Sequence, residues 1–229
     1  MKKFLVVISL ALLPSSAFAI LGFGFQVGQD LAKLDSYSYT EGEGLAAVTV
    51  NSYAMESSPN SFGAYAFVDL FGYALEAEGD FAVGLYEFEF GNEIATLGPI
   101  EFGWARASYA VTAKKNIMDI SVPFLAKAAL NAGAGFGGHA ATPRANVDMV
   151  TELLGDDLNN VNAIDSDLET KLGDYLLNNA ITSNGFHLQA GIRFKILVLD
   201  THLNLRYNLA KDIYDGSNGF AQLMFKTGF

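Results

Sequence analysis

Two stretches late in the chain alternate apolar and polar residues with a period of two. Phe186, Leu188, Ala190, Ile192 and Phe194 alternate with His187, Gln189, Gly191, Arg193 and Lys195. Leu203, Leu205, Tyr207 and Leu209 alternate with His202, Asn204, Arg206 and Asn208. Successive side chains of a strand point to opposite faces, so each stretch predicts a strand with one oily and one polar side. The residues between them, around Ile196 to Asp200, predict a short turn. The end of the chain repeats the pattern. Ala221, Leu223, Phe225 and Phe229 share one face with Thr227, while Gln222, Met224, Lys226 and Gly228 share the other. Asp215-Gly216-Ser217-Asn218-Gly219 is a turn cluster ahead of that strand.

Upstream the alternation is fainter. Leu21, Phe23, Phe25 and Val27 alternate with Gly22, Gly24, Gln26 and Gly28. Phe62 to Leu70 reads as a strand carrying Tyr65 and Phe67, and Leu75, Ala77, Phe81 and Val83 interleave with Glu76, Glu78 and Asp80. Tyr86, Phe88 and Phe90 then fall in the other phase around Glu87 and Glu89, which predicts a β-bulge. Ile100, Phe102 and Trp104 begin a strand that changes phase near Arg106 before Tyr109 and Val111, which predicts a second bulge. Ala128, Leu130, Ala132, Ala134 and Phe136 alternate with Ala129, Asn131 and glycines. The tally is eight strands. Leu45 to Met55 reads as a further strand inside a long segment, 30–61, and its pairing in the same sheet would make the count ten. Phe62 to Phe81 and Phe186 to Tyr207 share the order strand, short turn, charged strand, as two hairpins joined on the same side would.

Residues 139–184 break the alternation. Val147, Val150, Leu153, Leu154, Leu158, Val161, Ile164, Leu168, Leu172, Tyr175 and Leu176 recur at helical spacing. Thr142-Pro143 suits a helix start, with Pro in the first turn. Asp148, Glu152, Asp156, Asp157, Asp165, Asp167, Glu169 and Asp174 make the polar side acidic. The apolar face Leu153, Leu158, Val161, Ile164, Leu168 and Leu172 must be buried against something. It is either the underside of a lid or partner site, or a cap over apolar strand ends.

Composition sharpens the picture. The chain is 51% hydrophobic with mean hydropathy +0.24. Yet no apolar run after residue 19 approaches the ~18 residues of a membrane helix. Oily residues spread in alternation are the signature of a membrane barrel, whose lipid-facing and interior residues interleave. A soluble sandwich or closed barrel with its oily face turned inward has the same alternation. Residues 1–19 read as a secretory signal peptide: Lys2 and Lys3, the apolar run Phe4 to Leu13, then Ala17-Phe18-Ala19 as the cleavage site. The mature part, 20–229, is then one barrel domain with the insertion at about 139–184. There is no Cys, which excludes disulfides and thiolate metal sites. The net charge is −11, and without Lys2 and Lys3 there are 12 bases against 25 acids. That argues against nucleic acid as a partner.

Signal peptide, alternating strands and a terminal Phe229 together resemble the small bacterial outer-membrane β-barrel superfamily, broadly the type of the OmpA transmembrane domain. The resemblance implies an all-β fold: an antiparallel up-and-down transmembrane β-barrel of eight strands, or ten, with the helical insertion in a long extracellular loop. It implies that Leu223, Phe225 and Phe229 form the assembly signal read by the barrel assembly machinery, with Thr227 departing from the usual apolar residue. It also implies an outer-membrane location in a Gram-negative cell, with outer-membrane lipid and lipopolysaccharide as surroundings. Both termini and the short turns then face the periplasm, and the insertion faces outside.

Candidate chemistry is sparse. Glu76, Glu78, Asp80, Glu87, Glu89 and Glu101 on early strands face Arg193, Lys195, Arg206 and Lys226 on late ones across a narrow interior, with Lys127 as a further candidate. An eight-stranded barrel is just wide enough for side chains to fill, and buried charges need partners. The expectation is a salt-bridged, largely plugged lumen of structural or interaction type. A small gated channel built on the same pairs is the alternative within that lumen. A transporter or binder of a small hydrophobic molecule, lidded by 139–184, is a second alternative, and an envelope enzyme is disfavoured. Asp165-x-Asp167-x-Glu169 lacks the turn Gly of a calcium loop and sits in a helical stretch. His187 and His202 lie about 20 Å apart along their hairpin, too far to share a metal or form a catalytic pair. No cofactor or metal is expected.

Overall fold

A computed structural model describes residues 20–44, 47–70, 72–92, 96–122, 126–154 and 168–229. The signal-peptide segment lies outside the described residues, as do Leu158, Val161, Ile164, Asp165 and Asp167. The chain is all-β and antiparallel, with a small helical insertion. Its strands are β1 (Ile20–Asp30), β2 (Tyr37–Glu41), β3 (Val48–Ser52), β4 (Asn60–Leu70), β5 (Tyr73–Gly91), β6 (Thr96–Val122), β7 (Ala126–Ala141), β8 (Ile181–Ile196), β9 (Leu199–Asn208) and β10 (Phe220–Gly228). Helices α1 (Val147–Leu154) and α2 (Leu168–Asn178) stand between β7 and β8.

Eight of the ten strands close a ring in the order β1-β4-β5-β6-β7-β8-β9-β10, and β10 returns to β1. Closure leaves no edge within the ring. The other two form a hairpin, β2–β3, whose β3 pairs with the far end of β5 from Ser52↔Phe88 to Thr49↔Gly91. The expected strand in Leu45 to Met55 therefore exists, and it stands outside the ring. Register can be followed once around: Ile20, Asp69, Ala74, Lys114, Gly133, Gln189, Arg206, Gln222, then Asp30. The circuit climbs from position 20 to position 30 of β1. This stagger tilts the strands to the barrel axis, typically by about 35–45°, and leaves an interior that side chains fill.

Ile20, Phe229 and the tight turns at Gly72 and Leu197-Val198 share one end, called lower here. Gly72 takes φ 85, a left-handed conformation that glycine adopts without strain. Segments 31–59, 142–180 and 209–219 join strands at the upper end.

The two expected bulges are not where the phase changes pointed. Along β5 the interior side holds Glu76, Glu78, Asp80, Ala82, Tyr86 and Phe88 without a break. Along β6 it holds Trp104, Arg106, Ala110, Thr112 and Lys114. The register shifts fall elsewhere, at Phe88/Phe90 and Asn116/Met118. What changes near Ala82 and Arg106 is the chemistry of the interior, from charged below to aromatic above. Along β5 and β6 an aromatic residue above this level points in, whereas Phe81 and Tyr109 below it point out.

Candidate functional site: a charged lumen under an aromatic plug

The lower barrel is oily outside. Leu21, Phe25, Phe62, Leu75, Phe186, Leu188, Leu205, Tyr207 and Phe225 are exposed on it, Leu21 at 72% and Phe225 at 47%. The same strands turn Glu76 and Lys226, each 0% exposed, into the lumen. Five acids (Asp30, Glu76, Glu78, Asp80, Asp200) and five bases (Arg106, Lys114, Arg193, Arg206, Lys226) are buried there.

They form three tiers. At the bottom, Arg193 donates through Nε to Asp200 at 2.9 Å and across the barrel to Asp69 at 2.8 Å. Its guanidinium lies 5.1 Å from the Phe67 ring, and His202 Nε2 lies 3.2 Å from Asp200. In the middle, Lys226 donates to Glu76 at 2.8 Å and to Glu78, while Lys114 donates to Glu76 at 2.5 Å. Arg206 there bonds Glu78 and, at 3.0 Å, Gln189. At the top, Arg106 grips Asp30 with Nε and Nη2, both at 2.9 Å, and reaches Asp80 at 2.8 Å. Tyr214, from the segment between β9 and β10, donates to Asp30 at 2.5 Å, and Gln222 donates to Asp80 at 3.0 Å. Every buried carboxylate thus meets a cation, which offsets much of the large desolvation cost of burying either alone.

Above Arg106 the interior is apolar and aromatic. Its guanidinium sits 5.0 Å from Phe220. Trp104 and Tyr214 pack at 4.8 Å and Tyr214 and Phe220 at 5.4 Å. Tyr86, Phe88 and Phe102 add edge-on contacts at 5.8 and 5.6 Å. Leu34, Val50 and Met55 join this core from the segment between β1 and β4, and Val147, Met149, Val150 and Tyr175 join it from the insertion. Leu153 and Leu172 pack against its margin. Leu168 opens α2. Asn146 caps α1 by accepting from the Met149 amide at 2.8 Å and also accepts from Tyr175 at 3.0 Å. Pro143 therefore lies ahead of the helix and outside its first turn. Arg144 ties three upper segments together through the Asp35 carbonyl and the Asp215 carboxylate. Burial pushes the Asp215 carboxyl up from its ordinary value, with Arg144 pulling the other way.

Of the sequence-predicted lumen residues, Glu76, Glu78, Asp80, Arg193, Arg206 and Lys226 lie inside. Lys195 is half-buried at the lower rim, in register with Asp200 and Lys127. Glu87, Glu89 and Glu101 are not in the lumen, because they alternate with the inward Tyr86, Phe88 and Trp104 and so face outward. Glu87 and Glu101 are exposed, directly opposite each other, and border a cleft of about 240 Å³ with Tyr53 and Glu56. Glu89 accepts from Asn51 at 3.0 Å. Sequence reading missed Asp30, Arg106, Lys114, Asp200 and Tyr214. An unbroken period of two through Trp104, Arg106, Ala110, Thr112 and Lys114 was the available signal for two of them. Leu223, Phe225 and Phe229 are exposed on the outer face, Phe229 packing edge-on against Phe23 at 6.0 Å.

The histidines stand in three separate pairings. Ser108 and His139 are bonded at 2.7 Å, Thr112 and His187 at 2.8 Å, and His202 neighbours Asp200. Among the described residues no three metal-ligating side chains converge.

No family model matches the chain, and no curated protein matches it with significance. Solved structures do resemble it. One is Ail, the attachment invasion locus protein of Yersinia pestis, in complex with the heparin analogue sucrose octasulfate. It is 11% identical, with 91% of this chain and 97% of that chain covered and a TM-score of 0.39. Another is Neisserial surface protein A, NspA, at 13% identity, 92% and 96% coverage and a TM-score of 0.41.

Proposed function

We propose that the chain is an outer-membrane β-barrel of the interaction type, with a salt-bridged lower lumen and a sealed upper end. One observation carries this reading: a closed ring with an exposed oily belt encloses buried, paired charges. Water would favour the reverse arrangement, because exposed apolar area costs about 25 cal/mol per Å² and charges are best hydrated. A hydrocarbon surround favours the arrangement observed. Residues 1–19 are the cleaved export signal, and Leu223, Phe225 and Phe229 present the closing strand to the barrel assembly machinery. Lipid and lipopolysaccharide surround the belt. The upper segments 31–59, 142–180 and 209–219 face outside and meet external partners.

Three layers of ion pairs under an aromatic plug oppose an open pore. The alternative, a transporter of a small hydrophobic molecule lidded by 139–184, needs an apolar space beneath the helices. Val147, Met149, Val150 and Tyr175 fill that space against the barrel's own aromatics. No catalytic role is proposed.

Cell fractionation with heat-shift electrophoresis tests the membrane reading. The expected result is an envelope-bound protein that changes mobility on boiling. A folded protein free in the soluble fraction without detergent would overturn it. Planar-bilayer recording tests the plug, and large, stable conductance would contradict it.

A further inference from the structure

Among the described residues, the hairpin β2–β3 leaves one strand edge unpaired: β2 is the terminal strand of the sheet, and its partner there is β3. Among the described residues, no backbone hydrogen bond outside that ladder engages Tyr37 to Glu41, and all five residues are exposed. Proteins usually blunt such an edge with Lys, Pro or a bulge. Tyr37-Ser38-Tyr39-Thr40 has none of these and consists of residues that suit strands or tolerate them. The edge is also tied to the ring, because β3 is bonded into β5 and Ser38, Asn51 and Glu89 form a hydrogen-bonded row across all three strands.

The charge around it is mainly negative. Asp35, Glu41 and Glu43 flank β2, and α1, which lies against β2, exposes Asp148 and Glu152; the nearby bases are Lys33 and Arg144, the latter held by the Asp35 carbonyl and Asp215. Tyr37 and Tyr39 are stacked at 6.4 Å, within 8° of parallel, and leave their faces about half open. Open tyrosine faces beside carboxylates attract cations.

A second copy in the same membrane does not fit this edge. Antiparallel pairing of β2 with itself needs a two-fold axis perpendicular to the sheet. For a sheet rising from the barrel wall, that axis lies in the membrane plane and inverts the second molecule.

We propose that β2 is a docking edge for an extended, basic polypeptide segment outside the cell, which adds to the sheet as a further strand. Main-chain hydrogen bonds supply the affinity, and alternate Lys or Arg side chains meet the acidic flank and the tyrosine faces. This rests on the outer-membrane reading, which puts β2 outside.

The test uses the full folded chain in detergent, with heat-shift migration as the check on folding. The probe is a fluorescein-labelled peptide of about ten residues alternating Lys and Thr, read by anisotropy. The expected result is saturable binding that weakens about tenfold or more when every second residue of the peptide is N-methylated, because donors on one edge are lost. Ser38→Lys with Thr40→Lys should weaken it to a similar degree, about tenfold. Thr182→Lys with Asn184→Lys, across the ring on β8, should leave binding unchanged. Absence of binding at low salt overturns the proposal. So does equal binding of the N-methylated peptide, normal binding to the β2 variant, or an equal loss in the β8 variant. Failure of the membrane reading would appear separately, in fractionation.

Discussion

Strands β5 and β6 each build two walls of opposite polarity. On the lower half of β5, Leu75, Ala77 and Phe81 face out while Glu76, Glu78 and Asp80 face in. On its upper half, Glu87 faces out while Tyr86 and Phe88 face in. β6 does the same around Arg106, with Glu101 outside and Trp104 inside above it, and Val111 outside and Lys114 inside below. The backbone alternation holds without a slip from Glu76 to Phe88 and from Trp104 to Lys114. What inverts is which face carries the oily side chains. On the proposed reading the lower wall meets acyl chains and the upper wall meets water. The upper half is then an ordinary soluble core and the lower half is its mirror.

The largest expected effect breaks the lower half. Lys226→Met removes the cation that Glu76 and Glu78 share, leaving each with one base, Lys114 or Arg206; losing two buried charge-assisted hydrogen bonds at once should cost about 3–5 kcal/mol by urea unfolding in lipid. Paired outward substitutions sharpen the contrast. Leu205→Arg in the oily belt should cost about 2–4 kcal/mol in a bilayer, whereas Glu101→Arg, outward on the upper wall, should cost within about 0.5 kcal/mol. Equal costs would mean that both walls share one solvent.

The junction between the halves gives an intermediate effect. Tyr214→Phe keeps the ring against Trp104 and removes the hydrogen bond to Asp30, for an expected loss of about 1.5–3 kcal/mol. The smallest effect is expected at the upper rim. The raised carboxyl of Asp215 means that the folded protein holds this proton more tightly than the unfolded chain. The resulting stabilisation is full below the ordinary carboxylate value and is lost as pH rises through the raised one. Asp215→Asn should erase that acid-side slope in a proteolysis titration and leave neutral-pH stability within about 0.5 kcal/mol.

The ring was legible in the residues of its lower half. Phe186 to Lys195 and His202 to Leu209 alternate cleanly because one face is apolar throughout and the other meets partners that must be polar. The upper half was misread for the same reason. Placing the apolar residues of β5 and β6 outward makes Tyr86 and Trp104 imply bulges and puts Glu87, Glu89 and Glu101 in the lumen. The composition of a strand carries its period but not the direction of the oily side. The Arg106–Asp30–Tyr214 junction was invisible for a different reason. Its members stand on β6, on β1 and between β9 and β10, and only ring closure brings them together.

Local alternation, turn residues and the terminal aromatic determined by themselves that this chain makes antiparallel strands joined by short turns at one end. A two-residue period follows from backbone geometry alone. Tertiary structure decided which side of each strand is interior, where that interior turns from charged to aromatic, and which carboxylate meets which cation. Those outcomes depend on the eight-strand closure and its ten-residue stagger, which make neighbours of residues far apart in the chain, Asp30 and Tyr214 among them at 184 positions.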